Sequence, residues 1–308
     1  MNGLELSRAF YEEYGVPMLK RDFPDLLPYL AVGLVGAGSE CFGFDDEASR
    51  DHDYAPGFCI FLPGEEVFDR RKAFILERAY AKLPKEFEGV VRPAFFSNEE
   101  MRRGVVRTSE FYLSKTGSET GELTTEAWLS LPDHYLAQAT NGEVFFDAYG
   151  EFSRIRQRLL DPPADILRKK IAGHLWEAAQ AGQYNYARCQ AHGERAAAVW
   201  ALCAFADHAS TVLFLLHGRW APFYKWRFRA LKTLDLAADA AALFETLLCG
   251  EEAEKKAALD AICALLIARL RQAGYTGADS EDLARLAHEV NDGITDPNIR
   301  NLNILAAV

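Results

Sequence analysis

Asp51-x-Asp53 is the spacing in this sequence that most directly implies chemistry. On an extended strand, residues i and i+2 share a face. The two carboxylates then stand side by side while His52 turns away. Such groups repel unless a cation joins them, and hard oxygen ligands that also serve phosphates suit Mg²⁺. Upstream, with eleven residues between, Gly38-Ser39 reads as a turn. Glycine lets the backbone come close to a ligand, so N–H groups and the Ser39 hydroxyl can cradle phosphate oxygens. Asp45, Asp46 and Glu47, in the stretch between, read instead as loop caps or solvated charges.

Other candidates are basic. Tyr184, Asn185, Arg188, His192 and Arg195 gather around a helix start. Arg188, His192 and Arg195 recur at helical spacing, and residues so spaced share a face. Two readings stand for that face. One is a grip on triphosphate oxygens, with Tyr184 and Asn185 beside it; the other is ordinary surface ion pairing with Glu194 and its neighbours. His208 and His217 fall inside an apolar helical run and read as core histidines with satisfied hydrogen bonds. No Gly-x-Ser-x-Gly elbow occurs, which leaves serine-hydrolase chemistry without a nucleophile. Gly33, Gly36 and Gly38 do not follow the G-x-G-x-x-G order, so a dinucleotide fingerprint is set aside.

The elements that must position these residues divide the chain in two. Runs rich in Val, Phe and Ile, bounded by Gly, Pro or Asn, predict strands over 31–36, 53–62, 90–97, 104–108 and 142–148. Amphipathic helices are predicted over 6–15 and 67–83. The run after Asp53 is the strand expected to hold the Asp pair, with Pro56 marking an edge or an early interruption. Beyond Asp161-Pro162-Pro163 the chain turns Ala/Leu-rich. Helices are predicted over 164–181, 187–217, 221–234, 237–248, 251–273 and 280–291, with breaks at Gly182, Gly218, Gly250 and from Gly274 to Gly277. The expected fold is α+β, a mixed sheet flanked by helices over 1–161 followed by an all-α helical bundle over 162–308.

With 308 residues, 49% of them hydrophobic, the chain can bury a sizeable core. A formal net charge of −11 argues against an extended nucleic-acid surface, though not against a local basic site. Cysteines at 41, 59, 189, 203, 249 and 263 include no CxxC pair and imply neither a zinc site nor a disulfide framework. No basic-then-apolar leader opens the sequence, and its apolar runs read as too short to span a bilayer, so a cytoplasmic protein without membrane contact is expected.

The stretch GSECFGFDDEASRDHD, residues 38–53, resembles the nucleotidyltransferase superfamily typified by DNA polymerase beta, poly(A) polymerases and aminoglycoside nucleotidyltransferases. That signature is Gly-Ser or Gly-Gly, a spacer, then Asp-x-Asp or Asp-x-Glu on a strand. With GEVFFDAYGEFSRIR and WAPFYKW downstream, the chain is similar, roughly over 27–234, to a bacterial branch described only as domain of unknown function 4037. The resemblance implies a polymerase-beta-like domain and transfer of a nucleoside monophosphate from a nucleoside triphosphate to an acceptor, with pyrophosphate released. It implies two Mg²⁺ ions on Asp51 and Asp53, a phosphate cradle at Gly38-Ser39, and Lys225, beside Trp226, on the triphosphate. A third acid often completes such a site, but Gly104–Thr108 carries none. Asp147 is the candidate, with strand end and helix cap as its plainer reading. The acceptor stays open among a small hydroxyl compound, a protein side chain and an RNA end. A catalytically inactive nucleotide-binding regulator and an aminoglycoside-type antibiotic-modifying enzyme are the alternatives.

Overall fold

Four of the five runs rich in Val, Phe and Ile supply the strands of one sheet, while the run from residue 90 supplies Val90–Val91 to a separate two-stranded hairpin. The computed structural model describes residues 1–47, 54–92, 103–236 and 240–308. The chain divides into two units, one of residues 1–122 with 135–160 and one of residues 123–134 with 161–308.

The first unit opens with α1 (Gly3–Phe10), which continues through a π-helical turn, Tyr11–Gly15, into α2 (Val16–Asp22). Asn2 starts α1 by a capping box, its side chain accepting from Glu5 N while the Glu5 carboxylate accepts from Asn2 N. β1 (Ala31–Leu34) leads by a turn into the short helix α3 (Ser39–Phe42). β2 (Cys59–Leu62) returns antiparallel to β1, with Val32 opposite Ile60. Next come α4 (Arg70–Ala81) and the hairpin of β3 (Glu86–Phe87) and β4 (Val90–Val91). β5 (Gly104–Arg107) then lies parallel to β2 and runs directly into α5 (Thr108–Thr116).

α6 (Thr125–Ser130) belongs to the second unit. α7 (Asp133–Thr140) leads back to β6 (Glu143–Asp147), antiparallel to β1, and α8 (Glu151–Leu160) closes the unit. The sheet order is β5-β2-β1-β6. Alternation along the strands gives it two buried faces. Val32, Ile60 and Leu62 join Leu6, Phe10 and Leu76 in one core, while Phe61 meets Phe111 and Phe152 on the other side.

The strand predicted over 53–62 is paired only from Cys59. Pro56 lacks an N–H for a ladder, and Gly57 takes φ +153. The helix predicted from residue 67 starts at Arg70, because Val67 and Phe68 turn back onto Gly64 O and Asp69 caps the first turn through Lys72 N.

In the second unit α9 (Ala164–Ala178) runs on through a π-helical segment, Ala179–Tyr186, into α10 (Ala187–Ala191). Then come α11 (Arg195–Leu216), α12 (Tyr224–Leu231), α13 (Ala240–Cys249), α14 (Glu252–Gln272), α15 (Leu283–Asp292) and α16 (Pro297–Arg300). The break expected at Gly182 does not occur. A Cβ there would meet the Phe205 ring at 2.3 Å, so this glycine admits the neighbouring helix instead of ending its own. The break falls at Gly193, φ +75, dividing the single helix predicted over 187–217. Residues 123–134 depart from the expected boundary by packing with the bundle: Trp128 stacks on Trp220, and Asp133 pairs with Lys170. At 22 residues and mean hydropathy 1.7, α11 does have the length and composition to cross a membrane, and 61% of its most apolar window is buried in the fold.

Candidate functional site

One end of the sheet gathers three chain segments. β1 leaves it at Leu34, opposite Glu143, while β2 and β5 enter it side by side at Cys59 and Gly104. The turn after β1 is pinned by Asn141, whose Oδ1 accepts from Gly36 N at 2.8 Å and whose Nδ2 donates to Gly36 O at 2.7 Å. Gly38 follows with φ 100 and ψ 158, a conformation that favours glycine. Ser39 begins α3 and is buried.

Glu40 and Arg103 form an ion pair beneath this turn, with side chains only 1% and 2% exposed. Arg103 Nη2 donates to both Glu40 oxygens at 2.8 and 2.6 Å, a charge-assisted geometry that ties α3 to the head of β5. Asp45 holds α1 through Oδ2, which accepts from Gly3 N at 2.7 Å, and its Oδ1 is buried without a hydrogen-bond partner. Asp51 and Asp53 lie outside the described residues. The described chain resumes at Tyr54, whose hydroxyl donates to Met1 O, and Gly57 O accepts from Ser7 Oγ at 2.6 Å.

Asp147 is not brought to the Gly36–Ser39 turn. It ends β6 opposite Ala31, at the far end of β1, and a four-residue strand spans about 10 Å. Its oxygens accept from Gly150 N at 2.7 Å and Ser153 N at 2.8 Å, which fastens the first turn of α8.

In the second unit, Tyr184 and Asn185 are exposed on the π-helical segment, and the Arg188 guanidinium lies 5.0 Å from the Tyr184 ring. Arg188 and His192 do not share a helix with Arg195, because the Gly193 break intervenes. Lys225 is exposed on α12 with Nζ 4.8 Å from the centre of the Trp226 ring. His217 sets Nδ1 2.7 Å from Leu213 O and Nε2 3.1 Å from Asp235 O, and the nitrogen that carries the proton donates.

A polar cluster that sequence reasoning missed joins four stretches of this unit. Lys170 donates to Leu131 O and Asp133 Oδ1. His174 and His208 face each other with their Nδ1 atoms 2.9 Å apart. Arg227 donates to Asp207 O at 2.9 Å and Thr211 Oγ1 at 2.6 Å, and pairs with the Asp207 carboxylate. Asp133 Oδ2 and Arg227 Nε are buried without hydrogen-bond partners. Burial, followed by repulsion from His208, Lys170 and Arg227, holds His174 well below the ordinary histidine value. Burial also lowers His208, Arg227 and His134. The only sequence signals were local, Lys170 and His174 at i, i+4 on α9 and Asp207 and Thr211 at the same spacing on α11.

Among the described residues, no group of three or more His, Cys, Asp or Glu side chains converges as a metal site. Two clefts of about 660 and 830 Å³ share Asp22, Phe23 and Ile75 on the α2–α4 side of the first unit, away from the Gly36–Ser39 turn. Residues 128–227 match a family model described as Domain of unknown function (DUF4037). That stretch contains Asp147, Tyr184, Asn185, Arg188, Lys225 and the polar cluster, and leaves out Gly38 to Asp53. No curated protein and no solved structure matches the chain.

Proposed function

We propose that the chain is a Mg²⁺-dependent nucleotidyltransferase that moves a nucleoside monophosphate from a nucleoside triphosphate to an acceptor, with pyrophosphate leaving. The strand arrangement carries this reading. β1 leaves the sheet into Gly38-Ser39 and α3, and β2, which follows Asp51 and Asp53 in sequence, enters antiparallel at the same end with β5 parallel beside it. A dinucleotide-binding unit would instead need β1 and its successor parallel.

Asp51 and Asp53 are the proposed metal ligands. The described approach to them fits a hard cation in one respect: Asp45 Oδ1 is a buried carboxylate oxygen with no hydrogen-bond partner, a condition a cation relieves. Mg²⁺, when bound, neutralises triphosphate charge as pyrophosphate forms. Gly38 and Ser39 bind phosphate oxygens in this reading. Lys225, Arg188, Tyr184 and Asn185 are the nucleotide-binding candidates of the second unit. Asp147, whose two oxygens are committed to α8, holds that helix and takes no proton.

A second reading, a nucleotide-binding regulator without turnover, is favoured by β5, whose residues Gly104–Arg107 include no acid. Transfer of label from α-labelled triphosphates to small hydroxyl compounds, proteins and RNA ends separates the two. Nucleotidyl transfer predicts labelled product in the wild type and none in Asp51→Asn or Asp53→Asn. Mg²⁺-dependent triphosphate binding without transfer supports the regulator, and absence of binding overturns both.

A further inference from the structure

We infer that His174 and His208 form a one-proton clamp between α9 and α11 that lets go when the medium turns acid. Their Nδ1 atoms stand 2.9 Å apart, with ring centroids at 5.2 Å, which is hydrogen-bond distance. A neutral imidazole carries a single N–H, so a bond between two Nδ1 atoms demands opposite tautomers, one ring protonated on Nδ1 and the other on Nε2. The next proton goes to the free Nε2 of the donor ring and leaves the bond standing. A further proton puts N–H on both facing nitrogens, and the bond is gone.

The charged groups that act on the pair come from three helices. α9 supplies Lys170 and Glu177, α11 supplies Asp207, and α12 supplies Arg227. Where α7 begins, Asp133 holds Lys170 at 3.0 Å, and its neighbour His134 is lowered by burial and by Arg227. Burial acts first on both rings and disfavours their charged forms. For His174, the charges of His208, Lys170 and Arg227 push the same way. For His208, Asp207 and Glu177 oppose burial while Arg227 reinforces it. The first proton therefore settles on His208, and His174 is the ring whose protonation breaks the clamp.

The sign of the pH effect follows. Both rings bind protons more weakly in the fold than in the unfolded chain, where the ordinary value is 6.5. Their stabilisation is complete above that value and is lost as pH falls below it. The seam that loosens also carries Arg227, two residues after Lys225 on α12, so acid acts on the helix that presents Lys225.

Histidine ¹⁵N labelling of the whole chain reads the tautomers directly. At pH 7.5 the two rings are expected to show one Nδ1–H and one Nε2–H, assigned by loss of signal in His174→Gln and His208→Gln. Urea midpoints followed by tryptophan fluorescence are expected to fall from pH 7.5 to 5.5 more in the wild type than in the double His→Gln variant. Two Nε2–H rings, or equal pH dependence in the two proteins, overturns the clamp. So does Zn²⁺ raising the midpoint of the wild type alone, which would make the pair a cation site. Should the double variant not fold, the wild-type tautomers decide.

Discussion

Glu40 follows the Gly38-Ser39 turn directly and is almost inaccessible, and Arg103 offsets its charge by meeting both oxygens. Removing one partner of such a pair strands the other, whereas replacing both with apolar groups of similar size is often nearly neutral. Arg103→Met is expected to destabilise the protein by about 3–5 kcal/mol in urea titrations, and Glu40→Leu in the same chain should recover most of the loss. An unchanged midpoint in the single variant would show that the pair is not closed as described. Thiol reactivity also separates by residue. Burial pushes Cys263 up to about 12, and the thiolate is the form that reacts. Mass spectrometry after brief iodoacetamide treatment at pH 8 should find Cys203 and Cys249, both exposed, modified well before Cys263.

Among the elements, Gly182 tests the difference between a helix stop and a helix contact. Alanine raises helix propensity by about 1 kcal/mol, but its Cβ would lie 2.3 Å from the Phe205 ring, and overpacking costs about 1–3 kcal/mol. Gly182→Ala should therefore lower the thermal midpoint; a rise would mean that the Phe205 ring yields to the added methyl and that close contact is not why glycine stands there. Asp147→Ala removes the cap of α8 and should cost about 1 kcal/mol while leaving triphosphate binding intact. Loss of transfer at unchanged stability would return Asp147 to the chemistry.

The same two residues show what a sequence exposes. β5 and β6 were legible because short runs rich in Val or Phe open directly after Gly104 and Gly142. The long helices of the second unit were legible from their Ala/Leu content. Gly182 misled because glycine ends helices and also admits close neighbours, and nothing local tells these apart. Asp51-x-Asp53 is conspicuous because its meaning lies in adjacent positions. Glu40 and Arg103, 63 positions apart, and the cluster built from Asp133, Lys170, His208 and Arg227 exist only after the chain has folded.

For the whole molecule, the family match ends at residue 227, yet the second unit is not finished there. Lys169, on α9, is fully buried, and its ammonium donates to Asn291 Oδ1 and Leu302 O at 2.8 Å and to Arg300 O at 3.3 Å. Asp165, one turn earlier, accepts from Thr295 N and Asp296 N. The matched helix thus depends on acceptors and donors far beyond the match, and a chain stopping at Asp279 would leave a buried cation without any of them. Uncompensated burial of a charge removes more stability than most single contacts provide. All five tryptophans, at 128, 176, 200, 220 and 226, lie in this unit, so their fluorescence reports it alone. The truncated chain should show no cooperative tryptophan transition in urea, while Lys169→Met in the full chain should keep one at a midpoint lowered by on the order of 3 kcal/mol. A cooperative transition in the truncated chain would mean that α9 to α14 fold without the last two helices and that Lys169 is held by other means.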